Sequence, residues 1–296
     1  MKKYFVLYLL GSIVLGLLFP FGEKIKFILP FLLSILLFFN FLEIDINLKK
    51  IFRIEILYFF IIGLGIIPFL VYISTLKFDI YLRVGFLLIA IAPTAIGSSI
   101  IVRLVGGRVD ISVFITIISN FLSIFYYPIL LKLYFGNNGI TISLLNIFTT
   151  LLLVIIVPFL FSLIIKQFSL IVYKLKVISN YVYTLFVVIV YIAISSARGG
   201  FKQKSFIELV TIFAITTLIA GVYYLSGFFL SKNLETKKSL MSTMGQKNTG
   251  LCIWIAISNF SPITAIPATI YVVVHHLINS LLLIKFKNKN DTSPKP

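Results

Sequence analysis

The sequence predicts an all-α polytopic membrane protein with ten transmembrane helices in two five-helix halves. Three observations carry this reading. The 296 residues are 60% hydrophobic and only 12% charged, where a soluble domain carries about a quarter charged residues. Apolar stretches long enough to cross a hydrocarbon core of ~30 Å recur from end to end. Two of these stretches are interrupted at membrane depth by glycine, proline and polar residues, at matching places in the two halves.

The first span is placed over residues 3–20. Lys2 and Lys3 before an apolar run imitate a signal peptide, but the run is long for one and no small-x-small cleavage pattern follows. Further spans are expected over 27–43, 55–75, 81–104, 110–134, 142–165, 179–197, 206–231, 239–258 and 264–284. The runs are continuously apolar rather than alternating, which excludes a β-barrel. The connections are short and polar, for example "GNNG" at 136–139 and "RGGFKQK" at 198–204, and leave no room for a soluble domain. The segment "IDINLKKIFRIE" at 44–55 reads as a short interfacial helix, with Ile51 and Phe52 dipping into the bilayer. The two halves divide as 1–141 and 142–296. The 30 Phe and 15 Tyr read mostly as lipid-facing and core-filling residues.

The net charge of +17 does not mark a nucleic-acid partner, because the basic residues are scattered through short loops. Of the 26 Lys and Arg, 17 fall at the N-terminus, in the even-numbered loops and in the C-terminal tail, and 8 fall in the odd-numbered loops. The remaining one is Lys247. The positive-inside rule then places both termini in the cytoplasm, with the chain in the cytoplasmic (inner) membrane. That arrangement requires an even number of spans, in agreement with ten. Cys252 is the single cysteine and reads as packing. No GxxxxGK[ST] motif occurs, so a gradient rather than ATP is the expected energy source.

The interrupted spans carry "IAPTAIGSSI" at 91–100 and "GQKNTG" at 245–250. Non-helical backbone is tolerated in a bilayer only where it is buried in protein or lines a cavity. Two broken helices at corresponding places in two halves are the sequence pattern of an inverted-repeat transporter. The alternative is that Pro93 kinks one span and the glycines merely pack. Polar residues at both breaks argue for function.

Three stretches, in this order and spacing, also carry a family resemblance. They are "APTAIGSSIIVRLVGGRVDISVFITIISNFLSIFYYPILL" (92–131), "GQKNTGLCIWIAISNF" (245–260) with Asn248 and Gly250, and "AIPATIYVVVHHLINSLLL" (265–283) with His275. They resemble helices four and five, nine, and ten of the bile acid:sodium symporter family, bacterial members in particular. The resemblance implies helices 1, 2, 6 and 7 as a panel and helices 3–5 and 8–10 as a core. Broken helices 4 and 9 would cross near the substrate. It also implies alternating-access transport of small or amphipathic organic anions with sodium.

The family's sodium sites map onto altered residues. By resemblance, the polar positions after the fourth-helix break and on the fifth helix fall at Ser98, Ser99, Thr116 and Asn120. The shared ninth-helix glutamate falls at Thr243, with Gln246 among the nearby groups. Two glutamines of the second site fall at Lys247 and Gly63. An ammonium in a metal site puts like charge where the cation would sit. Sodium coupling of the usual family kind is therefore not expected, and no other cofactor is.

Lys247 at mid-span costs about 2.5–3.5 kcal/mol on insertion scales, so it marks function by default. All nine Asp and Glu fall in loops or at span ends. Three uses remain open: a surrogate for a bound sodium, a proton carrier, and a counter-charge for an anionic substrate. Snorkelling to an interface is the fourth reading. Around it, Asn248 and Thr249 offer amide and hydroxyl groups to a substrate, and Thr94 and Gly97 do the same on span four. His275, His276 and, one turn on, Asn279 complete the candidate substrate site. A buried neutral histidine bonded to a backbone carbonyl is the alternative there.

The residues therefore point to a secondary transporter of an organic anion. An ordinary sodium-coupled symporter is one alternative. An efflux carrier of the related arsenite or auxin type is another, since Cys252 lies about one turn past Asn248. An enzyme is not expected: the spans hold no carboxylate, and adjacent histidines on a helix diverge. A channel would not need paired broken helices.

Overall fold

The computed structural model describes residues 5–43, 54–95, 97–136, 143–179 and 182–286. Most of the segment expected as an interfacial helix, 44–53, lies outside the described residues. The chain is helical nearly throughout. Helix α1 (Phe5–Leu18) leads through a tight 3-10 segment (Pro20–Ile28) into α2 (Leu29–Glu43). A third span runs as α3 (Ile54–Tyr58), a wide π-helical stretch (Phe59–Ile66) and α4 (Ile67–Ser74). Then come α5 (Ile80–Ala90), α6 (Ser98–Leu104), α7 (Val109–Phe135), α8 (Leu144–Lys166) and α9 (Ser169–Ser179). The rest are α10 (Val182–Lys202), α11 (Phe206–Phe229), α12 (Leu234–Gly245), α13 (Thr249–Asn259) and α14 (Ile266–Phe286).

Seven helical segments among the described residues are long and apolar enough to cross a membrane. The protein is a multi-pass membrane protein. Of the ten expected spans, the first is not among the seven because α1 has only 14 residues, and the fourth and ninth are not because each is divided in two, α5/α6 and α12/α13. The helix starts follow local capping chemistry. Asp79 caps α5, accepting from Tyr81 N at 3.0 Å, and Asn233 caps α12, accepting from Thr236 N at 3.1 Å. Ser205 and Glu208 form a reciprocal capping box on α11, satisfying N–H groups that the first turn leaves without helical partners.

Two connections differ from the sequence expectation. The stretch at 198–204 is not a loop, since α10 continues to Lys202. Gly199 and Gly200 look like breakers, but Gly200 is there for closeness: a Cβ on it would stand 2.6 Å from Pro262 O. The connection after span six also contains a helix, α9. Its "SLIVYKLKVIS" is too short to span and carries lysines, so it reads as loop. It exposes Leu170, Tyr173 and Val177.

The helices fall into two packing neighbourhoods, joined most extensively where α7 packs on α8. α1 packs on α10, and α2 on both α8 and α10. Elsewhere α11 packs on α12 and α14, α5 on α4 and α14, and α6 and α12 on α7. Small residues permit close approach between membrane helices. A Cβ on Gly227 of α11 would collide with Leu240 O and Met241 Cα of α12, whereas one on Gly221 of the same helix would meet nothing within 4 Å. Gly227→Ala should therefore destabilise by about 1–3 kcal/mol, the usual cost of overpacking. Gly221→Ala should leave thermal stability in detergent within about 0.5 kcal/mol of the parent, as an uncrowded substitution does. Equal melting of the two variants would refute this packing account.

Candidate functional site

The two helix breaks meet. Thr94 and Lys247 pair as an isolated antiparallel bridge: Ala95 N donates to Gln246 O and Asn248 N donates to Pro93 O, each at 2.8 Å. Pro93 has no N–H to continue a helix, and "GQKN" leaves α12 at Gly245 with Gln246 extended. Asn248 then starts α13, its side chain accepting from Leu251 N at 3.3 Å. The result is a short two-stranded contact between four helix ends, in the middle of the protein.

A polar layer from α7 supports it. Asn120 Nδ2 donates to Thr94 O at 2.9 Å and to Thr116 O at 2.8 Å. Asn248 Nδ2 donates to Asn120 Oδ1 at 3.4 Å. Thr94 N donates to Ser119 Oγ and Thr94 Oγ1 donates to Thr243 O, each at 3.1 Å. Ser98 Oγ lies 2.9 Å from Ser112 Oγ and 3.2 Å from Thr116 Oγ1. Of the expected cation residues, the structure thus brings Ser98, Thr116 and Asn120 together, and Thr243 joins through its carbonyl. Ser99 is half-buried on α6. Gln246 contributes its backbone, and among the described residues its Nε2 has no hydrogen-bond partner.

Lys247 does not snorkel. It is 1% exposed. Its Nζ donates to Ala90 O and Ala92 O, both at 3.3 Å, and stands 3.7 Å from the centroid of the Tyr223 ring. The Tyr223 hydroxyl donates to Ala90 O at 2.6 Å and to Gly63 O at 3.0 Å. Gly63 lies in the π-helical stretch, an irregularity found often at functional sites.

The other expected residues are placed as follows. Thr249 is buried, its N–H donating to Lys247 O at 2.8 Å. Gly97 is exposed, with nothing within 4 Å of where a Cβ would stand, and Asn248 is half-buried. These two are the open edge of the crossover. His275 and His276 sit on α14 with ring centroids 4.3 Å apart. Among the described residues the two ring nitrogens of His275 have no hydrogen-bond partner. The alternative reading, an imidazole bonded to a backbone carbonyl, is not met among the described residues; the His275 carbonyl itself accepts from Tyr224 OH at 3.4 Å. Tyr224 OH also donates to Asn279 Oδ1 at 2.8 Å. Its ring lies against Gly245, where any Cβ would collide with it, so the α14 group reaches the crossover through that ring. Tyr271 OH makes a second link, donating to Gly245 O at 2.8 Å. Sequence reasoning missed Tyr223, Tyr224 and Tyr271 because a tyrosine in an apolar span looks like core filling.

A family model described as the SBF-like CPA transporter family matches residues 3–288. The chain is similar to "Uncharacterized sodium-dependent transporter YocS" of Bacillus subtilis (strain 168), 29% identical over 215 residues, covering 70% of this chain and 65% of the relative. It is also similar to "Probable sodium/metabolite cotransporter BASS1, chloroplastic" of Oryza sativa subsp. japonica. That relative is 23% identical over 212 residues, covering 68% of this chain and 50% of the relative.

Within the site, Asn120→Leu keeps the volume and strips Thr94 O of its partner. It should cost roughly 1–3 kcal/mol, the penalty for an orphaned buried acceptor. Ser123→Ala removes only a bond back to Asn120 O within the same helix and should be near neutral. Thermal unfolding of the two variants checks the contrast.

Proposed function

The chain belongs to the SBF-like CPA transporter family, a family of transporters rather than enzymes, and from that premise we propose that it is a secondary active transporter of a small or amphipathic organic anion. The reading takes the full chain as ten transmembrane helices in two inverted repeats, 1–141 and 142–296, in the cytoplasmic membrane with both termini cytoplasmic. The packing of α1 on α10 and of α2 on both α8 and α10 supports the panel, and the packing of α11 on α12 and α14 and of α5 on α14 supports the core.

One observation carries the proposal: two broken helices pair at Thr94 and Lys247 in the protein interior. A helix N-terminus inside a membrane favours negative charge, since its N–H groups and dipole point at the ligand. α13 begins at such a place, capped by half-buried Asn248 and edged by exposed Gly97. We assign Asn248 and Gly97 to substrate contact, with Thr94 and Thr249 shaping the crossover backbone. His275, His276 and Asn279 form the α14 side. Asn248→Ala should then reduce organic-anion uptake at least about tenfold, the effect of losing ~1.4 kcal/mol of binding, while membrane insertion is unchanged. Parental uptake by Asn248→Ala would remove the crossover from the binding site.

The names of both relatives include sodium, and the grouping of Ser98, Ser112 and Thr116 hydroxyls supplies oxygens. That favours an ordinary sodium symporter as the second reading. The buried ammonium of Lys247 favours the first. Uptake into proteoliposomes should change by less than about twofold, ~0.4 kcal/mol, when choline replaces sodium. A steep, saturable sodium dependence would establish the second reading instead.

A further inference from the structure

The surroundings of the Lys247 ammonium are those of a cation-binding site. Its hydrogen-bond acceptors, Ala90 O and Ala92 O, lie at the C-terminal end of α5, where the helix dipole is negative. The Tyr223 face covers it at 3.7 Å, within cation–π range. No carboxylate takes part: the ion pairs among the described residues are Arg108–Asp110 and Lys204–Glu208. Neutral carbonyl oxygens at a helix end and an aromatic face hold a positive charge by dipole and quadrupole alone. Carbonyl rings do this for free monovalent ions in channels. None of these groups belongs to the lysine's own segment: Ala90 ends α5, Ala92 lies two residues beyond it, and Tyr223 belongs to α11.

We propose that the α5 terminus and Tyr223 form a monovalent-cation site that Lys247 occupies from within the chain, and that the site accepts a free primary ammonium ion once the side chain is cut back. The proposal rests on the transport reading only for its meaning: a cation fixed by a covalent tether does not exchange with solution during the cycle. The site itself is independent of what is transported. A primary ammonium is the class of ligand because it repeats the charge and the N–H donors that face the two carbonyls. An alkyl tail of three carbons refills most of the space left by the stem, which is itself among the largest fully buried side chains. A quaternary ammonium carries the same charge but cannot donate a hydrogen bond.

The test compares the full-length parent, Lys247→Ala and Lys247→Met in detergent, each in n-propylammonium chloride and in tetramethylammonium chloride at equal concentration. Lys247→Ala should melt below the parent and regain about 3–6 °C in n-propylammonium at ten times its dissociation constant, a saturable rise. The parent, with the site filled, and Lys247→Met, with it blocked by an apolar chain, should melt alike in the two salts. Equal melting of Lys247→Ala in both salts overturns the proposal, and so does a rise of the same size in the parent. Where Lys247→Ala is lost in tetramethylammonium, its recovery from membranes solubilised in n-propylammonium is the supporting result, and recovery in neither salt overturns the proposal. Uptake is measured separately. Anion transport without ammonium-specific stabilisation defeats the cation site and leaves the transport reading standing. Ammonium-specific stabilisation in a protein that moves no organic anion does the reverse.

Discussion

Every backbone polar group inside a bilayer must find its partner within the protein, and the crossover is organised by that requirement. An unsatisfied carbonyl in hydrocarbon costs several kcal/mol, and ending α5 at Ala90 releases a run of them. Most of these are met by named donors. Leu88 O takes the Tyr127 hydroxyl, Ala90 O takes Tyr223 and Lys247, and Ala92 O takes Lys247. Pro93 O takes Asn248 N and Thr94 O takes Asn120. On the facing strand, Thr243 O takes the Thr94 hydroxyl, Gly245 O takes Tyr271, and Gln246 O takes Ala95 N. Neither break could exist without the other, because each supplies donors the other lacks.

Lys247 has a double place in this arrangement. It satisfies two released carbonyls and also brings a charge that no carboxylate among the described residues balances. A tether holds its head group at an effective concentration set by the chain rather than by solution. Its position therefore follows the junction of α12 and α13, and the carbonyls it meets belong to α5. Charge and backbone at the two breaks are coupled through one side chain.

The fold was legible in the sequence where the bilayer constrains it most. Apolar span length, Pro93 with Gly97, and the polar run at 245–250 located the seven long apolar helices and both interruptions, because few sequences tolerate such residues at membrane depth. Legibility failed where a residue's meaning depends on its neighbour. Gly200 reads as a loop breaker and is in fact a close contact with the backbone at Pro262. α9 has neither the length of a span nor the polarity of a loop. Tyr223 is indistinguishable in sequence from the lipid-facing aromatics, and only its position over Lys247 sets it apart. Lys247 was conspicuous in the sequence, but the carbonyls it meets are backbone groups more than 150 residues away, which no side-chain pattern reveals.

The distribution of close contacts also says which parts can slide past one another. Gly227 lies against the backbone of α12 at Leu240 and Met241, and Gly85 of α5 against Thr264 O, so those elements interlock through main-chain atoms. Gly22, before α2, is fitted to the main chain at Ile192 and the side chain of Ser195 on α10. Across the boundary between the two packing neighbourhoods the contacts differ in kind. Gly200 of α10 meets the backbone at Pro262 and Ile263, whereas Gly250 of α13 meets the Cδ2 end of Leu33 on α2. A main-chain contact resists sliding, since no rotamer change relieves it, while the tip of a leucine can move aside. The alternating access that the family resemblance implies would therefore have a stiff point at the α10–Pro262 contact and a yielding one at Leu33, beside the crossover. A rocking motion that pivots at the first and opens at the second would expose Asn248 while leaving the paired helix breaks, and the ammonium between them, intact.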